Sequence, residues 1–162
     1  MKENLLLATL TSFALTSVGS AATISVNFWN SSAGNAGNNS VDAGETAGVT
    51  GAAAQNWNNY GSASGTGAIT LTNEALIDDS GAGSGAQLNL TSTDAFVGFS
   101  GAFSAAPAGP NRDLYNSFFA FNAGDNATIT VSGLGTDFTG NGYRVYVYSD
   151  SDANNRDFTH TV

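Results

Sequence analysis

The sequence has no cysteine, one histidine and one lysine. The missing cysteine excludes a disulfide scaffold, thiol catalysis and cysteine-ligated zinc together. His160 is the only histidine, so a Ser-His-Asp arrangement would have to use a residue at the far end of the chain. Basic charge is equally scarce: Lys+Arg number 4 against 13 Asp+Glu, a net charge of −9. Nucleic-acid affinity rests on Lys and Arg neutralising phosphates, so that class is set aside. Anionic membrane surfaces are disfavoured for the same reason. Cations, neutral sugars and plain solubility stay compatible with the charge. Helix-forming residues are also rare: beyond residue 22 the chain has two Glu, two Gln and no Lys.

Long apolar runs are absent except at the start. The first 22 residues, MKENLLLATLTSFALTSVGSAA, combine a positive residue, an apolar stretch broken by Thr and Ser, and small residues. Ser20 and Ala22 suit the −3 and −1 places of a cleavage site, so residues 1–22 read as a secretory signal peptide. The run is too short and too polar for a good bilayer span, and no later segment is long and apolar enough for one. Cleavage would remove Lys2 and leave Arg112, Arg144 and Arg156 as the only basic residues. Residues 23–162 have the length of one domain, and the leader before them predicts a secreted protein.

What the chain does contain is Gly, Ala, Ser, Thr and Asn, interrupted by short β-branched and aromatic runs. Strands are expected at Thr23–Trp29, Glu74–Asp78, Ala86–Thr91, Ala95–Ser100, Asn126–Ser132 and Tyr143–Ser149. The last, YRVYVYS, has the clearest alternation. Tyr143, Val145 and Val147 share one face; Arg144, Tyr146 and Tyr148 share the other. Asn141-Gly142 precedes it and favours a hairpin turn, which predicts Asn126–Ser132 as its neighbour. Arg112–Phe121 reads as a helical turn leading into a strand at Phe118–Phe121. Asn30–Val49 reads as a long loop with one helical turn at Ala43–Gly48. Asp157–Val162 reads as a strand at which the sequence stops, so truncation at the C-terminus is expected. Strands at this spacing, divided by Gly-rich turns, predict an all-β fold, an antiparallel β-sandwich.

The ordered series TISVNFW, ETAGV, NWNNYGSASG, LIDDSGAGSGAQLNLT, LYNSFF, ATITVSGLG and YRVYVYSDSDANNR resembles exported PEP-CTERM-associated proteins of the Planctomycetes and Verrucomicrobia type. The resemblance covers nearly all of residues 23–162. It implies a jelly-roll-like sandwich and secretion, often with a C-terminal sorting tail of a Pro-Glu-Pro motif, an apolar helix and an arginine cluster. This sequence carries no such tail, in keeping with the expected truncation. The resemblance carries no defined activity.

Several residues are candidates for binding. Trp57 and Tyr60 stand in QNWNNYGSASG, a run otherwise of small and polar residues. They either complete a core built elsewhere or are displayed to stack on sugar. Arg144, Tyr146 and Tyr148, on one strand face, could line a sugar site or form an ordinary outer face. Asp150, Asp152, Asn154 and Asp157, in DSDANNRD, could supply oxygens to Ca²⁺. Against this, the EF-hand Gly and Glu are missing and Arg156 would oppose a cation; a polar turn is the plainer reading. In Asp78–Asp79, one carboxylate is expected to bond the amides of the turn that follows, with calcium as the sharper alternative. No positioned acid–base pair is visible around Glu45 or Glu74, so catalysis is not expected. The reading is a non-enzymatic surface or matrix protein associated with extracellular polysaccharide. The alternatives are a carbohydrate-binding module stabilised by calcium and, after that, a glycan-cleaving enzyme.

Overall fold

The computed structural model describes residues 22–30, 40–62, 66–92, 95–98, 111–115, 118–120 and 126–148. In chain order these give β1 (Val26–Asn30), β2 (Asn58–Ser62), β3 (Thr66–Gly67), β4 (Thr70–Ile77), β5 (Gly83–Ser92), β6 (Ala95–Gly98), α1 (Arg112–Tyr115), β7 (Phe118–Ala120), β8 (Ala127–Ser132) and α2 (Thr136–Thr139). The fold is all-β, with helix among the described residues confined to two single turns. Among the described residues no helix is long and apolar enough to cross a membrane.

The strands form three small sheets, ordered β1-β2, β3-β6-β7 and β4-β5-β8. β5 is the spine of the third. Its alternation places Ala86, Leu88 and Leu90 on one face, and all three are buried. Burying such a leucine contributes roughly 1.5–3 kcal/mol relative to leaving it in water. Leu76 of β4 joins Ala86 and Leu88 in one cluster, and Ile24, Val26, Phe28 and Tyr60 from the β1-β2 side pack against it. A second cluster joins Val41, Ala47, Trp57 and Leu114, with Tyr148 packed on it.

The antiparallel expectation holds for the second and third sheets but not for the first. β1 and β2 are parallel, in register from Val26 opposite Asn58 to Asn30 opposite Ser62. A parallel pair needs a crossover, not a hairpin, and the chain between Asn30 and Asn58 supplies it. β2 occupies NNYGS, where composition alone predicts a loop. β4 begins at Thr70, four residues before the expected start at Glu74, and absorbs a register shift between Leu71 and Glu74. Asn73 adopts φ 54° there, a left-handed conformation that asparagine tolerates better than most residues. The helical turn of α1 followed by β7 matches the expectation for Arg112–Phe121. Asp42–Glu45 forms a hydrogen-bonded turn in place of the expected helical one.

The largest departure is at Tyr143–Ser149. β8 pairs with β5, from Gln87 opposite Ser132 to Ser92 opposite Ala127, and residues 142–148 join no ladder among the described residues. The polypeptide between takes the turn of α2 and a bend closed by Gly142, whose N–H donates to the Thr139 carbonyl at 3.1 Å. Gly142 has the positive φ expected of an Asn-Gly turn, but no hairpin follows it. Tyr143, Val145, Tyr146 and Val147 are all exposed. Alternation fixes which side chains share a face, but it supplies neither a partner edge nor a cover for that face. Opposite the buried Leu88 and Leu90, Val131 and Ile129 of β8 are also exposed, so this apolar face loses its cover at β8.

Candidate functional site

The aromatic residues of the NWNNY segment are held by the amides around them. Trp57 follows the isolated bridge between Ala47 and Ala54, and its indole N–H donates to the Ala54 carbonyl at 3.0 Å. Only 5 % of the residue is exposed, and its ring lies 6.2 Å from that of Tyr148. An indole so enclosed offers no face to a sugar, so of the two readings of Trp57 the structure shows the one that completes a core and not the one that displays the ring. Its N–H must find a partner because burial removes water.

Asn58 is buried beside it. Its side-chain amide donates to the Ser25 and Ile77 carbonyls, each at 2.9 Å, and its Oδ1 accepts from the Ile77 N–H at 2.9 Å. One side chain therefore does the work of a short strand, joining β4 to the segment that leads into β1. Asn59 donates to the Val41 and Trp57 carbonyls and accepts from the Val41 N–H and the Asn27 amide, the last at 3.1 Å. Asn56, in the left-handed region at φ 53°, donates to the Asp79 carbonyl at 2.8 Å. Asparagine suits each place because one side chain carries both donors and acceptors.

Tyr60 is half-buried. Its ring packs at 6.5 Å from Phe28, and its hydroxyl donates to the Ala75 carbonyl at 3.3 Å. Burial, then the charge of Glu74, pushes its phenol upward from the usual range. Tyr60 thus joins the core wall, not a free binding surface.

The face expected to carry Arg144, Tyr146 and Tyr148 is divided. Tyr148 turns toward Trp57, and its hydroxyl accepts from the Val49 N–H at 3.0 Å. The neighbouring Gly48 has φ +119°, and a Cβ there would lie 3.0 Å from that hydroxyl and 3.1 Å from Ala53 Cα, so glycine is required. Arg144 and Tyr146 remain exposed. Asp150, Asp152, Asn154 and Asp157 lie outside the described residues, as do His160 and Asp157–Val162.

The acidic turn behaves as its sequence predicts. The Asp78 carboxylate accepts from the Ser80 N–H at 2.9 Å, the Ser80 hydroxyl at 2.5 Å and the Ala82 N–H at 3.1 Å. The Ser80 hydroxyl above all holds Asp78 below the usual carboxylate range, aided by the backbone amides. Asp79 points the other way, accepting from the Thr23 N–H at 3.1 Å.

One arrangement was not legible in the sequence: Glu45 meets Asp113 of α1. Burial, opposed by the Asp42 backbone and reinforced by the charges of Asp113 and Asp42, raises the Glu45 carboxyl above its ordinary range. Glu45 and Asp113 also share a side-chain hydrogen bond. Among the described residues no group of three or more His, Asp or Glu could hold a metal. The signal that could have exposed the amide clamps is the density of Asn around a single Trp; nothing in the sequence links Glu45 to Asp113.

Comparison of the chain with protein families, with curated proteins and with solved structures finds no match.

Proposed function

We propose that this chain is an exported, non-catalytic β-domain that serves at a bacterial cell surface or in the extracellular matrix, in association with polysaccharide. The observation that carries the reading is where the polar side chains go. Asn56, Asn58, Asn59, Asp78 and Asp79 all bond the chain's own backbone. Groups held this way maintain a shape; they are not poised to exchange protons with a substrate. The domain is a jelly-roll-like sandwich on this reading, supported by the packing of Val26, Phe28 and Tyr60 against Leu76 and Leu88 of the facing sheet. The ordered resemblance to PEP-CTERM-associated proteins supports the same placement. Expression of the whole chain in a bacterium, followed by fractionation, tests it. Recovery outside the cytoplasm in a form shortened by the leader is expected, and retention of the full-length chain in the cytoplasm would overturn it.

A second reading, a carbohydrate-binding module, is favoured by the exposure of Arg144 and Tyr146, two residues apart in the same segment. Aromatic rings beside a guanidinium can stack on a sugar and hydrogen-bond its hydroxyls. Electrophoresis through gels containing neutral or acidic polysaccharide tests it. Retardation that is lost in Tyr146→Ala supports the module, and equal mobility in every gel rejects it. Calcium at Asp150, Asp152, Asn154 and Asp157 belongs to this reading and rests on the spacing of those residues. A melt that rises by several degrees when Ca²⁺ replaces EDTA would support it.

A further inference from the structure

We propose that the bond between Ala22 and Thr23 is the processing site, and that the α-ammonium released there pairs with Asp79 to lock the first strand onto the acidic turn. The proposal rests on the export reading above. It joins two observations that arise independently. The small residues Ser20 and Ala22 mark the Ala22–Thr23 bond in the sequence. In the fold, the nitrogen of Thr23 already lies 3.1 Å from Asp79 Oδ1.

Residue 23 is held from both sides. Its N–H donates to the Asp79 carboxylate, and its carbonyl accepts from the Asp79 N–H at 2.9 Å. The Asp79 carbonyl in turn accepts from Asn56 at 2.8 Å, which fixes the turn on the NWNNY segment. Asp79 is the titratable group facing this nitrogen. Asp78, one residue before, is committed to Ser80 and Ala82. The carboxylate of Asp79 is therefore aimed at the one atom whose charge processing changes.

In the uncut chain that atom is an amide nitrogen with one hydrogen and no net charge. Hydrolysis by an export peptidase breaks the Ala22 C–N bond. Water's oxygen goes to the Ala22 carbonyl carbon, leaving a carboxylate on the leader, and the protons go to nitrogen. Thr23 then carries an ammonium with three donors. The hydrogen bond to Asp79 becomes an ion pair without any movement of the backbone. In a chain with three arginines and twelve acidic residues past the leader, this is a scarce positive charge. Processing and folding are thereby coupled: the cut chain has an ion pair where the uncut chain has a hydrogen bond from a neutral amide.

The experiment compares three forms of the chain from residue 23 onward: a free amino terminus at Thr23, the same chain acetylated at that nitrogen, and an extension that retains Ala21-Ala22. The amine sets the pH dependence: the pair exists only while the nitrogen is protonated, so its contribution is complete below the ordinary α-amino value of about 8 and is lost as the amine deprotonates at higher pH. At pH 7 the free-amine form is expected to melt about 2–5 °C above both others. The gap should vanish near pH 11 and be absent at pH 7 in Asp79→Asn, whose amide can still accept from nitrogen. Equal melting of all three forms at pH 7 would overturn the latch. A gap that persists unchanged in Asp79→Asn would overturn its assignment to Asp79. The mass of the exported chain separates this from the export reading. A first residue of Thr23 supports the site, an exported chain beginning elsewhere overturns it while leaving export intact, and a chain that is never exported overturns the reading beneath it.

Discussion

Two aromatic segments of this protein have opposite fates. NWNNY is polar by composition and reads as a loop, yet Trp57 is 5 % exposed and β2 begins at Asn58. YRVYVY is apolar and alternating and reads as a strand, yet Tyr143 is 64 % exposed and the segment joins no ladder among the described residues. The difference lies in hydrogen bonds that periodicity does not count. Around Trp57, asparagine side chains complete the backbone pairing that a short irregular segment cannot complete alone. Around Tyr143, no comparable clamp exists among the described residues, and only Tyr148 at the segment's end is tied back, to Val49. An amide-rich segment can therefore lie at the centre of a fold, and an apolar one at its surface.

The comparison can be broken most forcefully at Trp57. Trp57→Ala removes the largest side chain of its cluster and should cost about 3–5 kcal/mol in urea unfolding. A cost near that of a surface substitution would mean the NWNNY segment is not the anchor described here. Next comes Asn58. Asn58→Asp keeps the volume but turns a donor into an acceptor facing the Ser25 and Ile77 carbonyls. It should destabilise the protein by about 2–4 kcal/mol, while a nearly isosteric change of no consequence would reduce Asn58 to a space filler.

Asp78→Asn sharpens the contrast through pH. The folded carboxyl lies below its ordinary value, so its contribution is present in full above about pH 4 and is lost as pH falls through the folded value. The variant should melt below the parent at pH 7 and approach it in acid. Glu45 works in the opposite sense: its carboxyl is raised, so whatever it contributes is present in acid and lost as pH rises through its folded value. Parallel melting curves for Asp78→Asn and the parent across the acid range would remove the Asp78 term. The smallest effect is expected at the other segment. Tyr146→Ala should change stability by less than about 0.5 kcal/mol, and a larger loss would show that YRVYVY is packed after all.

Much of the fold was legible where one physical rule decided the outcome. Leu88 and Leu90 follow the two-residue period of a half-buried strand, and both are buried residues of β5. The turn at Asp78 follows from a carboxylate ahead of Ser-Gly, and the amides bond to it as expected. β2 was illegible because its stability is supplied by side chains reaching across the chain, to Ser25 and Ile77. YRVYVY was misread because the alternation rule takes an available sheet edge for granted. Of the candidate binding residues, Trp57, Tyr60 and Tyr148 carry structural contacts, while Arg144 and Tyr146 remain accessible. The meeting of Glu45 with Asp113 depends on how α1 docks, which no local pattern records.

The Asn58 amide also sets an order of events. Its partners Ser25 and Ile77 lie 33 and 19 residues away in opposite directions along the chain. Neither contact forms by local zippering, and closing such loops costs entropy before any bond is made. The Asn58 tie on the lead-in to the first strand therefore arrives only with residue 58 and is completed only with residue 77. A chain made amino end first gains this tie only after its middle has followed, so the start of the fold is fastened late by a residue from its interior.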